Sequence, residues 1–355
     1  MTRAFRFLTL LTLSLSLLFL AACGANGSPG GTPENSPTAS ENSADDASTA
    51  AQPEQKEIPP VTLKAVSAWP VNDIQSKGFE LLIEKIESKS NGQIQVEWQG
   101  GPETIPPFEL GEAVRNHVVD IAAISAAYYA PQMPEALALD YSEYTAQEER
   151  KNGGYELMNQ IHQEKMNTYL LGRSNGFQYN FFSKSPINSI ADFNGKTFRA
   201  APIYVPAAQA LGASVVNMPV GDAFSALEKG VIDGIAYPEA GITVFGFEKI
   251  LKYKVLPSFY QIDAVFLVNL DAWNDLPAEA QAILTESAVE VENELPDILD
   301  KYTADEEEVL KQQGFEFVQL PEEEFLQIVV DAGWKWMLEN SPEHGQELQD
   351  ALKKK

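Results

Sequence analysis

"VTLKAVSAWPVNDIQSKGFELLIEKIESKSNGQIQVEWQ", residues 61–99, decides the fold class. Residues 61–69 read as a strand. Residues 73–92 read as an amphipathic helix ending at Gly92, because Phe79, Leu82, Ile83 and Ile86 recur at helical spacing. In "QIQVEWQ" the period drops to two, with Ile94, Val96 and Trp98 on one face of a second strand. A strand, a helix and a strand in immediate succession form the unit from which α/β sheets are built.

The alternation continues on both sides of a Gly-Pro loop. "FELGEAVRNHVV" (108–119) reads as helix and "DIAAIS" (120–125) as a buried strand. One helix is expected over 147–167 and a strand in "MNTYLLGRS" (166–174). Further along, "KTFRAAP" (196–202), "ASVVNMP" (213–219) and "VIDGIAYP" (231–238) read as strands. The helices "VPAAQALG" (205–212) and "GDAFSALEKG" (221–230) separate them. "QIDAVFLVNL" (261–270) is the most apolar strand of this half. A very long helical pattern then runs from Pro277 to Gly314, with a kink expected at Pro296. The pattern predicts an α/β architecture with largely parallel sheets. The acid-rich run from Glu286 to Glu324 reads as a solvated helix face.

The N-terminus reads as something other than fold. Arg3 and Arg6 precede an apolar run from Phe7 to Leu20, too short for a membrane span, which needs ~20 residues. It ends in "LAAC" (20–23), whose cysteine is the only one in the chain. Residues 1–22 therefore read as a signal peptide that resembles those of bacterial lipoproteins, with Cys23 the lipidated residue. Residues 24–57 contain no Ile, Leu, Val, Met, Phe, Trp or Tyr. With Cys23 they read as a disordered tether to an extracytoplasmic membrane surface, in the periplasm or on the outer face of the cytoplasmic membrane.

The remaining body of about 300 residues suggests two domains. Formal net charge is −26, and removing 1–22 takes away two arginines and no acid. Nucleic acid is excluded as a partner by that balance, and a small anion needs a local, pre-placed cation. The chain lacks HExxH, CxxC, GxSxG and P-loop motifs. Its three histidines, His117, His162 and His344, have no metal-ligand spacing. Nothing points to an enzyme.

The informative cation lies in "ADFNGKTFRAAP" (191–202), where Arg199 ends a short strand between a glycine turn and a proline. The longer pattern "SPINSIADFNGKTFRAAP" (185–202) with "ALGASVVNMPVGDAFSALEKGVIDGIAYP" (210–238) resembles the solute-binding proteins of tripartite ATP-independent periplasmic (TRAP) transporters. The match in order and spacing extends over about Val61 to Leu320. In that family Pro-Ile followed by Asp-(Leu/Phe)-x-Gly-x-x-x-Arg marks the strand with the ligand-clamping arginine, here Arg199. The resemblance implies a two-lobed α/β fold like that of periplasmic binding proteins, with a long helix spanning both lobes. It puts 61–176 plus 266–303 in lobe I and 177–265 plus 304–345 in lobe II.

The resemblance also implies a ligand and a partner. A small organic acid would lie between the lobes and pass to the TRAP membrane subunits. Where many relatives carry a second arginine this chain has Gln178, which resembles the branch that binds small 2-oxo or 2-hydroxy monocarboxylates. A C4-dicarboxylate, and a sensory rather than a transport partner, remain alternatives. Tyr128, Tyr129 and Trp69 are candidate aromatic walls at the ends of strands. Tyr237 stands where relatives often carry a ligand-reaching asparagine. Asp263 stands near a ligand-contacting family position, and Asp233 and Gly234 shape a turn. No cofactor is implied. Some members of that branch hold a cation with the ligand, so a ligand-associated cation stays open.

Overall fold

The computed structural model describes residues 58–354 apart from 175, 219 and 263. The signal peptide, Cys23, the tether and Asp263 lie outside the described residues. The first half runs β1 (Val61–Ser67), α1 (Lys77–Lys89), β2 (Ile94–Trp98), α2 (Pro107–Arg115), β3 (Ile121–Ser125) and α3 (Ala126–Tyr129). Then come α4 (Ala146–Asn152), α5 (Gly154–Met166), β4 (Thr168–Arg173), β5 (Gln178–Ser183), β6 (Thr197–Arg199) and α6 (Val205–Ala210). Next are β7 (Ser214–Val216), α7 (Val220–Glu228), β8 (Gly234–Pro238), β9 (Tyr253–Gln261), β10 (Ala264–Asn269) and α8 (Leu270–Asp275). The chain finishes with α9 (Ala278–Gln312), β11 (Glu316–Gln319), α10 (Glu322–Asn340) and α11 (Gly345–Leu352).

Two sheets result, in the orders β2-β1-β3-β10-β4 and β11-β9-β5-β8-β6-β7. Both are mixed, which corrects the expectation of largely parallel sheets. β1 runs parallel to β2 and β3, and β6 parallel to β7 and β8. β10 is antiparallel to β3 and β4, and β5 to β8 and β9. The cause is the connectivity. β4 leads directly into β5 and β9 directly into β10, so each short crossing leaves one sheet and enters the other at the facing edges. A strand entering at the edge where its neighbours end must run against them. The two crossings are bonded to each other, Ser174 N–H to Ala264 O at 2.6 Å and Ile262 N–H to Phe177 O at 2.7 Å.

The helix α9 forms a third connection. Its Leu284, Ala288, Val291, Leu295 and Leu299 are buried in one core, and Leu310 in a second with Phe182, Ile235, Phe247 and Phe315. Burying a leucine of this kind stabilises by ~1.5–3 kcal/mol, so one helix is anchored on both lobes. α1 buries Phe79, Leu82 and Ile86, three of the four apolar residues its period singles out, and packs on α9. Gly78 lets α1 come close to α9 and to the β4–β5 crossing, since a Cβ there would press on Leu295 of α9 and collide with the Ser174 carbonyl oxygen. The single helix expected over 147–167 is instead two, α4 and α5, divided by Gly153 at φ 89°. α10 packs on α6 and β9 and on the 134–138 turn, and α11 on α4 and α5.

Candidate functional site

In β6 alternation sends successive side chains to opposite faces. Phe198 enters the core beside Phe181, with ring centroids 5.2 Å apart, and Arg199 takes the other face at the strand's carboxyl end. The neighbouring strand β8 is held by Asp233, whose Oδ2 accepts from Thr197 N–H at 2.8 Å. β8 carries Tyr237 to the same edge. In the other sheet the parallel strands β1 and β3 end at the edge facing this one, and Trp69, Asp73 and Tyr128 follow those ends. Ligands of α/β sheets sit beyond the carboxyl ends of strands, and here two such edges face one another.

Arg199 is only 8% exposed. Its Nε donates to Met218 O at 3.1 Å and its Nη1 approaches Ala236 O at 3.5 Å. It forms no ion pair with any described residue, and Nη2 has no described hydrogen-bond partner. A buried cation without a counter-ion is costly. In a chain of net charge −26, a buried guanidinium with no ion-pair partner among the described residues has the charge and planar donor fork that suit an anion.

Three tyrosines lie within reach of the Arg199 charge. Burial raises the hydroxyl pKa of Tyr128, Tyr204 and Tyr237, and the Arg199 charge pulls each one back. Tyr128 comes from lobe I, and Tyr204 and Tyr237 from lobe II. Tyr128 is held edge-on by Trp69 at 6.3 Å and by Phe108 at 5.1 Å. Tyr204 stands edge-on to Tyr179 at 4.5 Å. Trp69 therefore reaches the site through Tyr128. These groups offer phenol hydroxyls, apolar ring faces and one fixed cation, a set suited to orienting a small anion.

Other candidates are placed differently. Tyr129 is fully buried inside lobe I, its hydroxyl 2.9 Å from His162 Nε2, so the expectation that it walls the cleft is corrected. Consecutive helical residues point ~100° apart, and here Tyr128 faces the cleft while Tyr129 faces the core. Gln178 is exposed at the start of β5, on the cleft edge. Its N–H donates to Glu239 Oε1 at 3.0 Å, and its carbonyl accepts from Glu239 N–H at 2.8 Å. Tyr204 and Asp73 are missing from the sequence-based set. Tyr204 was detectable as the aromatic returned to the edge by the Pro202 turn after Arg199.

Comparison with known proteins fits this geometry. Residues 65–334 match the model of bacterial extracellular solute-binding protein family 7, DctP. The chain belongs to this family. It is 26% identical over 249 residues to a monocarboxylate 2-oxoacid-binding periplasmic protein of Nostoc, covering 66% of this chain and 67% of that one. It is 25% identical over 240 residues to the C4-dicarboxylate-binding periplasmic protein of Rhodobacter capsulatus, covering 65% and 72%. Among solved structures, a TRAP periplasmic solute-binding protein from Desulfovibrio salexigens with bound orotic acid superposes with a TM-score of 0.73 at 21% identity, covering 81% and 96%.

The two-lobed solute-binding fold is thus the architecture of this family member, with α9 packed on both lobes. Family members are extracellular receptors for solutes and not enzymes. No helix among the described residues is long and apolar enough to cross a membrane.

Proposed function

We propose that this receptor captures a small organic acid, a 2-oxo or 2-hydroxy carboxylate, between its lobes and delivers it to a TRAP-type secondary transporter. The observation that carries the proposal is Arg199, buried without a counter-ion among the described residues and near tyrosines of both lobes. A guanidinium matches the two oxygens of a carboxylate, and each charge-assisted hydrogen bond contributes ~1.5–3 kcal/mol. Gln178, in place of a second cation, and the likeness to the Nostoc 2-oxoacid binder support a monocarboxylate. The Rhodobacter relative supports the rival, a C4-dicarboxylate. Lipidation of Cys23 would keep the receptor close to its membrane partner.

Tyrosines from both lobes around one anion give closure its driving force. An acid seated on Arg199 meets Tyr128 only when the lobes are together, so the ligand favours the closed state by its differential affinity. The experiment is native mass spectrometry of the purified protein, with the released small molecule identified and the intact mass read for acyl chains on Cys23. A 2-oxo or 2-hydroxy acid supports the reading, and a dicarboxylate overturns the monocarboxylate assignment. In calorimetric titrations Arg199→Ala weakens the acid by about 100-fold or more with its melting temperature kept. Unchanged affinity in that folded variant removes Arg199 from the site.

A further inference from the structure

After β1 the chain turns at Trp69 and Pro70, and Asp73 N–H bonds back to Pro70 O at 2.9 Å. The Asp73 Oδ1 accepts from Gln75 N–H at 2.9 Å and caps a short 3₁₀ turn. Capping uses one oxygen and needs neither charge nor burial, since serine or asparagine does it as well. Yet Asp73 is a partly buried carboxylate that forms no ion pair with any described residue. Burial raises its pKa, and the Gln75 N–H only partly opposes this. Its charge acts on Tyr128 of lobe I, Tyr237 of lobe II and Tyr302 of α9. Tyr128 and Tyr237 also feel Arg199. Tyr128 and Tyr237 are thus within electrostatic reach of an anion at the end of β1 and a cation at the end of β6, neither with an ion-pair partner among the described residues.

We propose that Asp73 is the specificity-determining acceptor of this cleft, taking a hydroxyl or ammonium hydrogen from the acid whose carboxylate sits on Arg199. The proposal rests on the anion-binding reading of Arg199 and narrows it. An ionised carboxylate only accepts hydrogen bonds. A keto oxygen offers it another acceptor, and a second carboxylate a like charge in a partly desolvated place. A hydroxyl or an ammonium group offers the missing donor, and the ammonium also neutralises the charge. The ligand class is therefore a monocarboxylic acid bearing a hydrogen-bond donor. Among the 2-substituted acids, the hydroxy member is preferred to the oxo member.

The test is calorimetric titration of the purified protein with lactate and pyruvate, and with butanoate, 4-hydroxybutanoate, 4-aminobutanoate and succinate. The two sets place a donor near the carboxylate and far from it. In the wild type at least one donor-bearing acid binds roughly 10- to 100-fold tighter than its donor-free counterpart. Asp73→Asn keeps the cap, removes most of that difference and strengthens succinate. Asp73→Ser, which also caps, serves as the second variant. A folded Asp73→Asn protein that keeps the wild-type ranking overturns the proposal, as does wild-type protein that binds pyruvate or butanoate as tightly as the donor-bearing acids. If Arg199→Ala abolishes acid binding while both Asp73 variants change nothing, only the role of Asp73 falls. If Arg199→Ala leaves binding intact, or no acid binds the wild type, the anion site itself falls and the Asp73 proposal with it.

Discussion

His162 is fully buried, with Nδ1 2.8 Å from Met158 O and Nε2 2.9 Å from the Tyr129 hydroxyl. The carbonyl only accepts, so Nδ1 carries the hydrogen and Nε2 accepts from the tyrosine. Burial lowers the pKa from 6.5 to about 4, against the Met158 bond and the charge of Glu135, which favour the cation. Between those values the unfolded chain binds more protons than the folded one, so stability rises with pH across the window. The contribution is complete above pH 6.5 and is lost as pH falls towards 4; it is on the order of 3 kcal/mol. His162→Gln, which can make both bonds without titrating, is less stable than wild type at pH 7.5. That gap narrows by about this amount at pH 4.5 in urea unfolding. A gap that stays constant with pH removes His162 as the source.

The same scale shows what a sequence reveals of a site. Arg199 was readable because period-two alternation and its motif agreed. Its lack of a counter-ion among the described residues was not, because ion pairs join residues far apart in the chain, as Arg150 and Glu292 are joined here at 2.7 Å. Tyr128 and Tyr129 could not be told apart, since a four-residue helix has no apolar period to orient it. Asp73 stayed hidden because a helix N-cap accounts for an aspartate at that place in the sequence.

At the scale of elements, the long helix α9 was legible from its apolar period, and it continues through Pro296. Proline has no N–H to offer the carbonyl four residues back, which is that of Glu292. In the structure Gln147 of α4 supplies the donor, its Nε2 lying 3.0 Å from Glu292 O and 2.8 Å from Asn293 Oδ1. Gln147→Ala leaves that carbonyl unpaired and lowers stability by ~1–3 kcal/mol. In a Pro296→Ala background the helix supplies its own N–H, and the same substitution costs less. Urea unfolding of the four proteins in this double-mutant cycle measures the coupling. Additive costs would mean that Gln147 does not serve the proline gap. The elements hardest to read were β9 and β11, which have no local partner. They pair in parallel across the whole of α9, so their evidence lies in the sheet and not in neighbouring residues.

At the scale of the molecule, one buried network ties the connections between the lobes together. Arg173 ends β4, and its Nη2 donates to Glu149 Oε1 at 2.7 Å and to Leu139 O at 2.9 Å. Its Nη1 reaches Gln261 Oε1, at the end of β9, at 3.2 Å. Its N–H donates to Glu292 Oε1 of α9, which Arg150 also holds. The network thus ties the end of β4 to the end of β9 and to α9, the three connections between the lobes. Arg173 and Glu149 side chains are 8% and 3% exposed, so solvent screens the pair little. Burial raises the Glu149 pKa and Arg173 opposes it. Arg173→Met strands that acid and costs ~3–5 kcal/mol, whereas adding Glu149→Gln removes the stranded charge and recovers a large part. The single variant also cuts the side-chain link between the ends of β4 and β9. Urea unfolding followed by tryptophan fluorescence and by far-ultraviolet circular dichroism then gives two non-coincident transitions, where the wild type gives one. Coincident transitions in a destabilised Arg173→Met protein would show that α9 alone couples the lobes. The network would then support the hinge locally without joining its halves.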